Sequence, residues 1–249
     1  MYDRDRETLV RFTDDGSSER PEFTPDGKRI LYRTVGRASP SSIWWRPTDR
    51  SAAATPLFAN GNEHLWEAVM APDGDHVVLQ RDDSRLRQGA DIVLRSLTGD
   101  TAVVSVTATA VEEAQARPSP DGRWVALQSN ASGVNQVVVQ PLRAPGGQVV
   151  VSPAFGTEPV WSRDGKRLYY RDATQLMEVT FTTLPEFAVT SRTPLFADPF
   201  VFAPAPHANY DVSPDGATFV ALRPTEGVQL VVVHNWRSEL RRQLASRPP

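Results

Sequence analysis

Short apolar runs separated by polar, turn-forming residues recur along almost the whole chain. Five of these runs each follow an Asp-Gly pair, and they lack the strict alternation of a strand with one wet face. Unbroken apolar runs of this length are typical of strands that are covered on both faces. The pattern therefore predicts strands that lie inside a stack of sheets. The runs are Ile30–Tyr32, Val77–Leu79, Val125–Leu127, Leu168–Tyr170 and Phe219–Ala221.

The Asp-Gly pairs themselves are predicted to form the turn between the first two strands of each repeat. Proline precedes the aspartate in four copies, and Arg163 replaces it in the fourth. Proline, aspartate and glycine at the second, third and fourth turn positions suit a type I turn closed by a left-handed glycine. Five occurrences favour a structural role over a catalytic or metal-binding one. The pairs are Asp26 and Gly27, Asp73 and Gly74, Asp121 and Gly122, Asp164 and Gly165, and Asp215 and Gly216.

The spacing of the pairs indicates the architecture. The five aspartates are separated by 47, 48, 43 and 51 residues. A repeat of this length is long for a helical solenoid and has room for four short strands with their turns. We therefore predict an all-β fold, a five-bladed β-propeller of four-stranded antiparallel blades that forms one domain over residues 1–249. The predicted repeats lie near residues 19–60, 64–108, 113–153, 157–198 and 207–235.

The two ends of the chain have different predicted roles. The fifth repeat has no fourth strand of its own, and residues 8–13 have the pattern of one, so we expect them to close the fifth sheet. Residues 236–246 place Trp236, Leu240 and Leu244 four residues apart, which predicts a short amphipathic helix. A compact five-bladed ring is favoured, and a piece of a larger propeller is the alternative.

Composition excludes several classes of function. The 249 residues carry a formal charge of −3, which argues against nucleic acid as a partner. The chain has no cysteine, so disulfides, thiolate zinc sites and cysteine nucleophiles are excluded. No apolar window is long enough to span a bilayer, and no secretory signal is visible at Met1. We therefore expect no membrane insertion by this chain.

Catalytic signatures are absent from the sequence. It contains no Gly-x-Ser-x-Gly elbow, no glycine-rich phosphate loop, no kinase catalytic motif, no His-Glu-x-x-His and no calcium loop. The four histidines are also far apart along the chain. We therefore expect a protein that is not an enzyme and that holds neither a cofactor nor a metal ion.

A candidate binding surface follows from the geometry of a propeller. Residues that enter the innermost strands converge around the central channel, where a peptide or polar ligand could bind. The alternative is that the same side chains bond neighbouring blades and hold the ring together. The candidates are Glu19, Arg20, His64, Trp66, Glu67, Glu113, Gln115, Glu158, His207, Asn209 and Tyr210.

The repeat also resembles a known family. Phe23-Thr-Pro-Asp-Gly-Lys-Arg29 and Trp161-Ser-Arg-Asp-Gly-Lys-Arg167 resemble the TolB-type propeller repeat. Asn209–Gly216 and Val231–Trp236 are similar to the C-terminal end of propellers attached to bacterial serine/threonine protein kinases. That resemblance implies a sensor or scaffold on the extracytoplasmic, periplasmic side of a membrane, with the kinase N-terminal to the propeller.

The functional expectation is a monomeric, non-catalytic scaffold that binds a protein or peptide partner. The rival hypothesis is a metal-dependent lyase or hydrolase at the channel mouth, which requires His64, His207 and an acidic side chain to meet. A truncated fragment of a larger kinase-linked propeller is the third alternative.

Overall fold

The computed structural model describes residues 1–3, 7–36, 41–58, 63–83, 90–98, 103–107, 109–144, 146–197, 207–223 and 229–234. Over these residues all regular structure is β, which confirms the predicted fold class. The helix predicted at 236–246 lies outside the described residues. No helix capable of crossing a bilayer occurs in the described part of the chain.

Five antiparallel sheets follow one another along the chain, and within each sheet the strands pair in chain order. We number the sheets 1 to 5. Sheet 1 contains β3 (Ser18–Phe23), β4 (Arg29–Thr34), β5 (Ser42–Pro47) and β6 (Thr55–Phe58). Sheet 2 contains β7 (Glu63–Met70), β8 (His76–Asp83), β9 (Asp91–Ser96) and β10 (Val103–Ser105). Sheet 3 contains β11 (Glu113–Pro118), β12 (Trp124–Ser129), β13 (Gln136–Pro141) and β14 (Val149–Val150).

The last two sheets continue the pattern. Sheet 4 contains β15 (Thr157–Trp161), β16 (Arg167–Arg171), β17 (Gln175–Thr182) and β18 (Ala188–Ala197). Sheet 5 has three strands within the described residues, β19 (Tyr210–Val212), β20 (Thr218–Arg223) and β21 (Gln229–His234). The first strand of each sheet is thus β3, β7, β11, β15 or β19.

Each sheet packs face to face on the next, and four apolar clusters fill the spaces between them. Leu31 and Leu79 lie in the cluster between sheets 1 and 2, and Leu127 lies in that between sheets 2 and 3. Tyr170 lies between sheets 3 and 4, and Phe219 lies between sheets 4 and 5. All five are second-strand residues from the apolar runs, so burial on both faces accounts for their lack of alternation.

The Asp-Gly turns have the predicted geometry. All five glycines have φ between 67° and 72°, and each donates its N–H to the carbonyl three residues earlier. In four turns a Thr or Ser hydroxyl at that earlier position donates to the aspartate Oδ1 at 2.5–2.6 Å. The same oxygen accepts the N–H two residues further on, as from Lys28 to Asp26. The aspartates therefore fix turns, in agreement with the structural interpretation.

The predicted closure of the ring by residues 8–13 is not confirmed. Within the described residues, β2 (Thr8–Leu9) pairs with β1 (Tyr2–Asp3), and no described strand extends sheet 5 beyond β21. Phe12 packs edge-on against Tyr32 of sheet 1 and accepts a hydrogen bond from Arg46 at its carbonyl. A strand partner close in sequence costs less loop-closure entropy than one two hundred residues away.

Candidate functional site

Three first strands carry a non-glycine residue with left-handed backbone at the same repeat position. Arg20, Gln115 and Glu158 have φ of 55°, 56° and 55°, and each lies six residues before its turn aspartate. In each strand the pairing register shifts at this residue, which marks a β-bulge. A bulge re-aims a side chain, and left-handed backbone costs about 1–3 kcal/mol outside glycine.

The re-aimed side chains reach the following sheet. Arg20 donates to the carbonyl of Trp66 at 2.6 Å, from sheet 1 to sheet 2. The Gln115 side-chain oxygen accepts the N–H of Glu158 at 2.6 Å, which joins sheets 3 and 4. Glu158 in turn accepts the N–H of Asn209 at 2.7 Å, which joins the fourth sheet to the start of the fifth. Three of the predicted binding residues therefore join neighbouring sheets, which is the alternative role that the sequence allows.

Glu158 is the most enclosed member of this series. Its side chain is fully buried and pairs with Arg171 at 3.1 Å, while the Tyr210 hydroxyl donates to its backbone carbonyl at 2.8 Å. Burial raises the pKa of Glu158, and the charge of Arg171 opposes that rise. Neither Glu158 nor Tyr210 is placed to meet a ligand from solvent.

A second group of charged side chains gathers around Arg117 of β11. Its Nη2 lies 2.8 Å from Glu22 of sheet 1 and 2.9 Å from Glu67 of sheet 2. His207, just before β19, places Nδ1 2.7 Å from the same Glu67 oxygen and 3.9 Å from Glu22. Side chains from sheets 1, 2 and 3 and from the segment before sheet 5 thus meet at one point, which we call the central cluster: Glu22, Glu67, Arg117 and His207.

The two carboxylates of the central cluster differ in their electrostatics. Burial raises the pKa of Glu22, and the negative charge of Glu67 adds to the rise against the attraction of Arg117. Burial would also raise the pKa of Glu67, but the charge of Arg117 and the hydrogen bond to His207 together lower it. Burial tends to lower the pKa of Arg117, and its two carboxylate neighbours outweigh this and raise it. Glu67 is therefore the more firmly ionised of the pair.

The remaining predicted residues lie outside the central cluster. Glu19 pairs with Arg33, whose guanidinium stacks 4.8 Å from the ring of Trp66. His64 is exposed and lies opposite Asp82 in the β7–β8 pair. Glu113 is fully buried at the start of β11. The rival enzyme hypothesis requires His64 to lie beside His207 and an acidic side chain. Among the described residues, no group of potential metal ligands contains both histidines.

Sequence reasoning missed Glu22 and Arg117, although a signal for them exists. Both lie four residues before their turn aspartates, where sheet 5 has Asp211 and the other two sheets have Val69 and Val160. Charged residues at a repeat position that is otherwise apolar indicate side chains that meet in the channel. Asp211 acts on the same cluster, because its charge contributes to the raised pKa values of Glu22 and Arg117.

An apolar cleft lies between the N-terminal segment and the face of sheet 1 that points away from sheet 2. Its volume is about 570 Å³. Phe23 at its wall is 57% exposed and Leu9 is 80% exposed. The apolar lining residues are Met1, Leu9, Val10, Phe12, Pro21, Phe23, Ile30 and Tyr32.

Solved structures with the same arrangement of sheets decide the fold. TolB from Acinetobacter baumannii superposes with a TM-score of 0.67 at 16% identity, over 88% of this chain and 52% of that one. The Cps50 β-propeller domain of Myceliophteria thermophila gives 0.59 at 9% identity, over 94% and 75%. The fold is a TolB-like β-propeller. The sheets described above are its blades, and the chain spans about half the length of the TolB structure.

The likeness extends to propellers in enzymes. Oligogalacturonate lyase from Vibrio parahaemolyticus gives a TM-score of 0.59 at 9% identity, over 88% of this chain and 63% of that one. One fold hosts many activities, so these likenesses establish the TolB-like fold alone. No protein-family model and no curated protein matches the sequence. The relation to kinase-linked propellers stays a prediction.

Proposed function

We propose that this TolB-like propeller is a non-catalytic scaffold that binds a partner protein through the apolar cleft of sheet 1. The observation that supports the proposal is the exposure of Phe23 and Leu9 at the two walls of that cleft. A contiguous exposed apolar surface on a soluble protein marks an interaction site. Several of the predicted channel-mouth residues, such as Arg20, Gln115 and Glu158, already bond a neighbouring sheet. The cleft is therefore the better docking surface.

The expected partner chemistry follows from how the other sheet faces are covered. Each of the four described interfaces buries one apolar sheet face against another. The face of sheet 1 with Ile30 and Tyr32 has the same apolar character, and among the described residues it is covered by the segment around Phe12. The cleft is therefore suited to an extended segment of a partner that presents aliphatic or aromatic side chains on one face.

Selection of peptides from a displayed random library tests the proposal. We expect enriched sequences to alternate apolar and polar residues, and to bind the purified protein in fluorescence polarisation. Phe23→Ser and Leu9→Ser should weaken that binding by about 10–100-fold, since burying such a side chain contributes about 1.5–3 kcal/mol. Leu184→Ser is the matched control, because Leu184 is 74% exposed and lies outside the cleft. Peptides that bind the Phe23 and Leu9 variants as tightly as the natural chain would contradict the proposal.

A further inference from the structure

Three side chains that can ligate a metal ion meet in the central cluster. Glu22 from β3, Glu67 from β7 and His207 each place one ligand atom within 4.8 Å of the other two. They come from two different sheets and from the segment before the fifth sheet, so the fold rather than a local sequence motif assembles them. No further group of three such side chains occurs in the described part of the chain.

The surroundings of the Glu67 carboxylate are a second, independent observation that favours a cation. Its side chain is only 2% exposed, and its Oε1 already serves both Arg117 and His207. Its Oε2 is buried and has no hydrogen-bond partner among the described residues. A buried carboxylate oxygen without a partner is costly, so the site gains free energy from a cation at that oxygen.

The charge balance points the same way. Glu22 and Glu67 lie 2.8 Å and 2.9 Å from the same guanidinium nitrogen, Nη2 of Arg117. Two carboxyl groups therefore share one cationic side chain. Buried charges in proteins are normally paired or bound to metal, so a divalent cation beside this shared guanidinium would complete the pairing.

We propose that Glu22, Glu67 and His207 form a binding site for a divalent transition metal, beside which Arg117 orients the two carboxylates. One imidazole nitrogen with carboxylate oxygens suits Zn²⁺ better than Ca²⁺ or Mg²⁺, which favour oxygen ligands alone. Arg117 bonds one oxygen of each glutamate, as an outer neighbour of a metal site commonly does, and leaves the second oxygen of Glu67 for the ion.

Binding requires the three side chains to draw together. Zinc lies about 2.0–2.2 Å from nitrogen and oxygen ligands, so atoms up to 4.8 Å apart must approach one another by side-chain rotation. Glu22 and His207 are 23% and 22% exposed, which leaves them room for that movement. The proposed metal site is separate from the cleft and does not depend on partner binding there.

Titration of the full chain with Zn²⁺, after treatment with EDTA, tests the site by calorimetry and by thermal unfolding. We expect one Zn²⁺ per chain and a rise in melting temperature. Glu67→Gln and His207→Gln should each weaken binding at least tenfold. His64→Gln and His76→Gln are the matched controls, because each removes an imidazole outside the central cluster, and both should bind as the natural chain does. Ca²⁺ should bind more weakly than Zn²⁺.

Three results would overturn the proposal. They are the absence of Zn²⁺ binding, equal binding by the Glu67 and His207 variants, and loss of binding in His64→Gln. Glu67→Gln also removes a partner of Arg117, so circular dichroism is recorded for each variant. Glu22→Gln supplies a second carboxylate variant at a more exposed side chain, and unchanged Zn²⁺ affinity in a folded Glu22→Gln protein would exclude that ligand.

Discussion

The hydroxyl of Tyr210 donates a hydrogen bond of 2.8 Å to the backbone carbonyl of Glu158, across the boundary between sheets 4 and 5. Both are predicted channel-mouth residues, and this contact between them joins two sheets. Tyr210→Phe removes only the hydroxyl, so it should lower the free energy of unfolding by about 0.5–1.5 kcal/mol, measured by urea denaturation. Tyr32→Phe is the comparison within sheet 1. Equal stability of Tyr210→Phe and the natural chain would show that the contact contributes nothing.

Breaking the buried ion pair between Glu158 and Arg171 should lower the free energy of unfolding by a larger amount. Arg171→Met leaves a fully buried carboxylate without its cation, which should cost about 3–5 kcal/mol of unfolding free energy. The double variant Glu158→Gln with Arg171→Met removes both charges of this pair and should recover part of the lost unfolding free energy. A double variant less stable than Arg171→Met alone would argue against an electrostatic origin.

The turn at Gly74 allows a test of backbone strain without steric interference. Its φ is +72°, and a side-chain carbon added there would meet no atom within 4 Å. Gly74→Val should therefore lower the free energy of unfolding by about 1–3 kcal/mol through strain alone. Gly147→Val is the control, because Gly147 has equal space and no left-handed backbone. Similar melting temperatures for the two variants would contradict the turn assignment.

Glu113 provides a prediction about pH. Burial raises the pKa of its carboxyl, and the side chains of Thr107, Thr109 and Gln148 oppose this only in part. The folded protein therefore holds the Glu113 proton at a pH where the unfolded chain, with a pKa of about 4.3, has released it. The contribution of protonated Glu113 to the free energy of unfolding is fully present below the pKa that Glu113 has in the unfolded chain. It is lost as the pH rises through the pKa that Glu113 has in the folded protein.

Glu113→Gln should accordingly raise the melting temperature at pH 7 and give a smaller gain as the pH falls toward 4. The measurement is the difference in melting temperature between variant and natural chain across that range. Glu112→Gln, at the exposed neighbouring position, serves as the control. A gain for Glu113→Gln that does not change with pH would show that packing, and not ionisation, is responsible.

Local chemistry made the repeat predictable. The type I turn depends on residues within one stretch of sequence, such as Thr24 to Gly27, and its hydrogen bonds are the ones expected. The apolar second strands were predictable for the same reason, because burial on two faces requires an unbroken run. The partner of the N-terminal strand could not be predicted, because the pattern of residues 8–13 fits any free strand edge and does not specify which edge the strand joins.

The central cluster was only half predictable. Glu67 and His207 were selected because they enter first strands, but their contact joins residues 140 positions apart. Arg117 lies in a strand that also contains Glu113 and Gln115, so its charge stands out only when the five repeats are aligned. What decides the site is the distance between equivalent positions on different sheets, and that distance depends on how the sheets are stacked rather than on any one repeat.

The central cluster also changes how the molecule should come apart. The four apolar clusters join only successive sheets, and a row of nearest-neighbour contacts can unravel from its outermost member without disturbing the rest. The contact of His207 with Glu67 bypasses two intervening sheets. Detachment of the fifth sheet therefore strips a partner from the second, so that unfolding becomes more cooperative than the apolar packing alone would make it.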